Sequence, residues 1–209
     1  MTDLLLTDPA ALEDVGAASW EQLQGDLLRG FVHSLNNRVA SLTAFTDLAT
    51  MDSSPLDVAS VRNEINRMYE LTSLIGRLAA RSDEPEALEV CPLLDSAIKM
   101  HDHHARSTRR TTEIRQAQTV YPVRVPRYAL LRLLLLIVDG CRRKPLKTLA
   151  IEVGGDAEIV ALGFHECDEI TDEMQDLARV CGATLRNENG NVNLTLPSLM
   201  ALRRLPDRH

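Results

Sequence analysis

From Trp20 to Met51 apolar residues recur at steps of three and four: Leu23, Leu27, Leu28, Phe31, Val32, Leu35, Val39, Leu42, Phe45 and Leu48, with no proline among them. This spacing returns to one side of a 3.6-residue turn and predicts a single helix of roughly 45 Å. Asp52-Ser53-Ser54-Pro55 stops it, and Ser54 ahead of Pro55 and Asp57 reads as the capped start of a second helix. That helix, predicted from about Pro55 to Arg81, carries Val58, Val61, Ile65, Met68, Thr72, Ile75 and Ala79 at the spacing of a bundle seam. Leu71, Leu74 and Leu78 widen its stripe. One hairpin cannot bury so broad an apolar face, so a second copy of the chain is expected to complete a homodimeric four-helix bundle.

Beyond Arg81-Ser82-Asp83-Glu84-Pro85-Glu86, which reads as a linker, the pattern changes to short elements. Helices are predicted at Pro92 to His101, Pro126 to Arg142 and Asp172 to Val180, the last ended by Gly182. Strands are predicted at Thr111 to Gln116, Leu149 to Val153, Glu158 to Phe164, Ala183 to Arg186 and Val192 to Leu196. The turn signals Gly154-Gly155-Asp156 and Asn187-Glu188-Asn189-Gly190 separate the last two strand pairs. The expected fold class is therefore α+β: a segment over 1–16, a helical hairpin over 17–82 and a two-layer α/β module over 88–209.

Composition narrows the functional classes. Thirty acidic against 23 basic residues, a formal charge of −7, remove the broadly basic surface that nucleic-acid binding would use. The longest apolar run, Leu133 to Val138, is far too short to span a bilayer, and MTDLLLTDPA lacks the features of a signal peptide. A cytoplasmic protein with no membrane and no nucleic-acid partner is expected. Cys91, Cys141, Cys167 and Cys181 have no metal-site spacing and read as buried, reduced thiols.

The first helix contains Phe31-Val32-His33-Ser34-Leu35-Asn36-Asn37-Arg38-Val39. With Leu28, Leu35 and Val39 as the buried centre of a helical wheel, His33 lies about 140° away and Asn37 about 180°. The imidazole should face solvent among Gly30, Asn37 and Ala40, with room for a docking protein. An imidazole nitrogen is a competent nucleophile near neutral pH, and an amide one turn later can orient a water or hold a phosphoryl oxygen.

These residues resemble the H-box of bacterial two-component histidine kinases, a histidine on the first helix of a dimeric hairpin followed by an acidic residue and, after a variable pair, by Asn or Thr. His33 and Asn37 match that pattern, and Ser34 replaces the acidic residue. The resemblance implies that His33 carries a phosphoryl group, with Asn37 beside it. The acidic residue helps activate the histidine toward ATP, so the serine weakens the case for self-phosphorylation more than that for acceptance from another phosphoprotein.

The second module resembles the kinase ATP-binding domain without its nucleotide boxes. Leu177 to Leu185 and Asn193 to Pro197 are similar to its last helix and closing strands. Asp139-Gly140 stands where the metal-binding Asn-Ala is usual, Phe164 to Asp168 contains no DxGxG, and Thr171 to Gln175 contains no glycine for a phosphate-covering loop. The expectation is a histidine phosphotransferase with catalytic residues His33 and Asn37. It should bind no cofactor itself and relay phosphate to or from response-regulator receiver domains that bring Mg²⁺. The alternatives are an atypical ATP-dependent histidine kinase and a non-catalytic dimer that binds a receiver or transcription factor.

Other clusters read as structural. The cluster His101, His103 and His104 could supply metal ligands, since His101 and His104 are three apart on a helix, but no carboxylate or cysteine constellation completes it. Arg106, Arg109, Arg110 and Arg115 read as a solvated connector, and His165 and Cys167 as packing residues.

Overall fold

The computed structural model describes residues 19–51, 57–82, 84–104, 111–143, 148–167 and 169–204. Two helices, α1 (Trp20–Met51) and α2 (Val58–Ala79), form the hairpin. Asp57 caps α2, its carboxylate accepting from the backbone N–H groups of Ala59 and Ser60. The predicted cap Ser54 and the turn around it lie outside the described residues. Glu64 ties the hairpin together. Its buried carboxylate accepts from Arg38 across the pair (3.0 Å) and from Arg67 one turn on (3.2 Å).

The module that follows has the order β1 (Pro85–Leu88), α3 (Val90–His101), β2 (Thr111–Gln116), β3 (Val123–Pro126), α4 (Arg127–Arg143), β4 (Thr148–Gly155), β5 (Ile159–Phe164), α5 (Asp172–Val180), β6 (Thr184–Glu188), β7 (Asn191–Pro197) and α6 (Leu199–Arg204). A five-stranded sheet runs β2-β4-β5-β7-β6, with β2 parallel to β4 and the other pairs antiparallel. Leu149, Ile151 and Val153 of β4, Val160, Leu162 and Phe164 of β5, and Val192, Leu194 and Leu196 of β7 are all buried. The register pairs Phe164 with Val192 and Leu162 with Leu194, so these alternate residues form one apolar face. Helix α4 supplies the other layer. Leu130, Leu131 and every residue from Leu133 to Val138 are buried, the mark of a helix covered on all sides.

Three elements escaped the sequence pattern: β1, β3 and α6. Strands β1 and β3 pair antiparallel, Pro85 with Pro126 and Leu88 with Val123, so the predicted linker runs into the α/β module. Only Leu88 of β1 is buried. Four residues with one buried side chain, whose partner lies some 40 positions away, carry no local signal. By contrast, the β6–β7 turn is written in the sequence. Asn189 and Gly190 both have positive φ, 54° and 77°, as a two-residue hairpin turn requires.

The cysteines correct a second expectation. Cys141 on α4 and Cys167 after β5, both buried, form a disulfide with Cα atoms 4.6 Å apart. Cys91 and Cys181 are free thiols. Burial pushes the Cys181 thiol up to about 12 and raises that of Cys91, helped by Glu89, so neither is an active nucleophile.

Candidate functional site

His33 stands on α1 with an exposed side chain, as does Asn37 one turn below. The amide Nδ2 of Asn37 lies 3.2 Å from His33 Nε2. An amide nitrogen can only donate, so Nε2 accepts and keeps its lone pair while Nδ1 carries the proton. The arrangement presents an exposed imidazole with its nucleophilic nitrogen oriented by a neighbour. Ser41 Oγ donates to the Asn37 carbonyl (3.0 Å), which satisfies the hydroxyl without crowding the imidazole.

The sequence placed Leu28, Leu35 and Val39 at the buried centre of α1, and the chain itself does not bury them so. Leu28 is 43% exposed, Val39 51% and the adjacent Val32 57%, while Leu35 is half-buried. The fully covered residues are Trp20, Leu23, Leu27 and Phe31, on another face, and they pack against the α/β module. Trp20 meets Tyr128 edge to face (6.3 Å between centroids), the Arg132 guanidinium lies over its indole (5.1 Å), and its backbone N–H donates to Glu173 (3.0 Å).

The histidine cluster at the end of α3 belongs to this same seam. His101 is buried with both ring nitrogens engaged: Arg142 donates to Nδ1 (3.1 Å), and Nε2 donates to Asp139 (3.0 Å). His103 packs against Phe31 (5.5 Å between centroids), and its Nδ1 is 2.9 Å from Ser34 Oγ. His104 stacks on His101 and reaches Asp26 of α1 at 3.5 Å. Among the described residues no group of three or more potential ligands is placed to hold a metal. Of the i, i+3 histidines that resembled a metal pair, His101 instead ties α3 to α4 and His104 reaches α1, and nothing in the local spacing distinguishes these uses. Of the arginines read as a connector, Arg106, Arg109 and Arg110 lie outside the described residues, and Arg115 faces Glu152 at 3.7 Å. His165 approaches the same carboxylate at 3.5 Å.

Asp139 on α4, which the sequence compared with a metal-binding asparagine, is buried and fully engaged. One carboxylate oxygen accepts from His101, the other from Arg143 Nε and Nη2 (3.1 and 2.6 Å). Burial pushes its pKa up, yet the bonds from His101 and Arg143 outweigh burial and hold the carboxyl below its usual range. Binding Mg²⁺ there would require breaking two charge-assisted contacts. Ahead of α5, Thr171 caps the helix by accepting from the Met174 N–H (3.2 Å), and the connection from β5 is anchored to α4 through Cys167. No helix among the described residues is long and apolar enough to cross a membrane.

No protein-family model and no curated protein sequence matches the chain. Solved structures similar to it include the Acinetobacter baumannii histidine kinase AdeS, at 15% identity over 80% of this chain and 98% of that one, with a TM-score of 0.43. A mycobacterial sensor histidine kinase, MprB, is 12% identical over 55% of this chain and 97% of its own, with a TM-score of 0.47. A bacterial phosphotransferase is 12% identical over 85% of this chain and 97% of its own, with a TM-score of 0.41. The likeness is to the overall arrangement of histidine-kinase cores.

Proposed function

We propose that this chain is a dimeric histidine phosphocarrier that exchanges a phosphoryl group with the aspartate of a receiver domain through His33. The observation that carries the reading is the His33–Asn37 pair, an exposed imidazole whose Nε2 is held by an amide one turn away. In the transfer, Nε2 attacks the phosphorus of the partner's aspartyl phosphate. The N–P bond forms as the P–O bond to the aspartate breaks, and the carboxylate leaves with the electron pair. Asn37 turns its amide from Nε2 to a phosphoryl oxygen. The partner's own Mg²⁺ neutralises charge, so the chain's task is mostly in-line positioning. The committed state of Asp139 and the missing phosphate-binding glycines favour this over an ATP-dependent kinase.

The same reading includes a second copy of the chain. Leu28, Val32 and Val39 on α1 and Val58 and Ile65 on α2 are exposed large apolar residues at bundle spacing, a surface that soluble monomers seldom leave bare.

The test is incubation with receiver domains phosphorylated with radiolabel, followed by detection of acid-labile phosphate on this chain. His33→Gln is expected to abolish transfer and keep the dimer, and Asn37→Ala to slow it about tenfold, a charge-assisted hydrogen bond's share. Unimpaired transfer by His33→Gln overturns the assignment. Binding of the receiver that survives with no transfer by either protein points to a non-catalytic interaction protein.

A further inference from the structure

Ser34 follows the phosphoacceptor in the chain and sits about 100° around the helix from it. While His33 faces solvent, Ser34 is half-buried and turned to the α/β module, where its hydroxyl meets His103 Nδ1 at 2.9 Å. Phe31, three residues earlier and so on the same side of α1, is buried against the ring of His103. One imidazole therefore grips α1 at two successive turns bracketing His33. His103 is itself fixed. Its backbone N–H donates to the Met100 carbonyl (3.1 Å), and the preceding Asp102 accepts from Arg142 of the buried helix α4 (2.6 Å). Among the described residues, Ser34 makes the hydrogen bond to the α/β module that lies nearest along the chain to His33.

We propose that His103 is a positioning residue for phosphoryl transfer: acting through Ser34 and Phe31, it fixes the rotation of the α1 turn that presents His33. The proposal rests on the reading of His33 as phosphoacceptor, but its structural half stands apart from that reading. In-line transfer requires the Nε2 lone pair to point along the breaking P–O bond, and a helix turn free to twist by a few tens of degrees seldom satisfies this. The α/β module then has a use that requires no nucleotide. It is the fixed anchor that holds the phosphoacceptor's helix against twisting. Serine suits this seam because a carboxylate at position 34 would put a charge against a half-buried imidazole and an apolar ring, whereas a hydroxyl bonds to neutral histidine without one.

The experiment pairs two measurements on the full chain. Hydrogen exchange of the amides of residues 31–38 reads the opening of the turn. Single-turnover transfer from a receiver domain phosphorylated on its aspartate, over a range of receiver concentrations, reads positioning. Ser34→Ala and His103→Ala are each expected to raise opening about fivefold and to lower the saturating transfer rate about fivefold, with the half-saturating concentration unchanged. His103→Asn, which keeps a hydrogen-bonding atom near the Nδ1 position, is expected to restore both to within about twofold. Unchanged exchange in His103→Ala overturns the proposal, as does His103→Asn behaving like His103→Ala in both measurements, which would mark a packing loss only. If no form of the protein, unmodified included, carries phosphate, the reading of His33 fails and the exchange data alone decide whether His103 holds the turn.

Discussion

Neighbouring faces of α1 carry similar apolar residues and meet opposite fates. Trp20, Leu23, Leu27 and Phe31 are covered by the chain's own α/β module, while Leu28, Val32 and Val39, about a third of a turn away, are left open. Apolar periodicity reports that a face is meant to be covered and says nothing of what covers it. The wheel that put His33 in solvent was centred on the open face. It reached the right exposure because His33 lies away from both apolar faces.

The sharpest way to break this comparison is to put charge on the open face. Val39→Asp or Ile65→Asp places a carboxylate where the proposed partner helices would desolvate it without a counter-charge, and is expected to weaken self-association about a hundredfold or more. Light scattering across a concentration series reads the change. An unmodified chain that stays monomeric at high concentration removes the dimer, and the open face then needs a different occupant.

A smaller effect separates adjacent residues. Phe31 is buried in the seam and Val32, the next residue, is on the open face. Phe31→Ala is expected to cost about 3–5 kcal/mol of folding stability at any protein concentration. Val32→Ala should cost less than about 0.5 kcal/mol in dilute protein, where the chain is single. It should cost more as concentration rises and the partner covers the site. Urea unfolding at two concentrations gives all four values, and equal losses for the two substitutions would contradict the assignment of covered and open faces.

What the sequence made legible follows the same division. The long helices, buried α4, and the β6–β7 hairpin came from local spacing or turn chemistry, which act over a few residues. Strands β1 and β3 did not, because each is only four residues long, too short for its pattern to stand out, and each pairs with a strand distant in sequence. His33 and Asn37 were readable as an i, i+4 pair on one helix. His103 was not, since its meaning depends on Ser34 and Phe31 some seventy positions earlier, and its own neighbours His101 and His104 suggested ligands. Asp139 stood out in the sequence as a residue of a buried helix, and its engagement by His101 and Arg143 could come only from the packed structure. Cys141 and Cys167, 26 residues apart, met through the contact of α4 with the end of the sheet.

The smallest expected effect sharpens the comparison through pH, because the covered seam is closed by a titratable group, His103. Burial lowers the pKa of His103 from its ordinary 6.5. Arg38 on α1 lowers it further, while Asp102 beside it opposes them, and the remaining groups against the ring, Ser34 and Phe31, carry no charge. The unfolded chain therefore takes up a proton near pH 6.5 at a point where the folded seam still refuses it. With more protons bound in the unfolded state, stability rises with pH across that window. The seam is at full strength above pH 6.5, weakens as pH falls from 6.5 toward the lowered folded value, and loses nothing more from this group below it. Other histidines titrate in the same range, so the informative quantity is the difference between the unmodified chain and His103→Asn, whose amide keeps a hydrogen-bonding atom and cannot take a proton. Thermal unfolding from pH 7.5 down to 5.5 should show a steeper decline for the unmodified chain than for His103→Asn. Parallel curves would mean that the seam accepts the proton without loss, and that Asp102 outweighs burial at this ring.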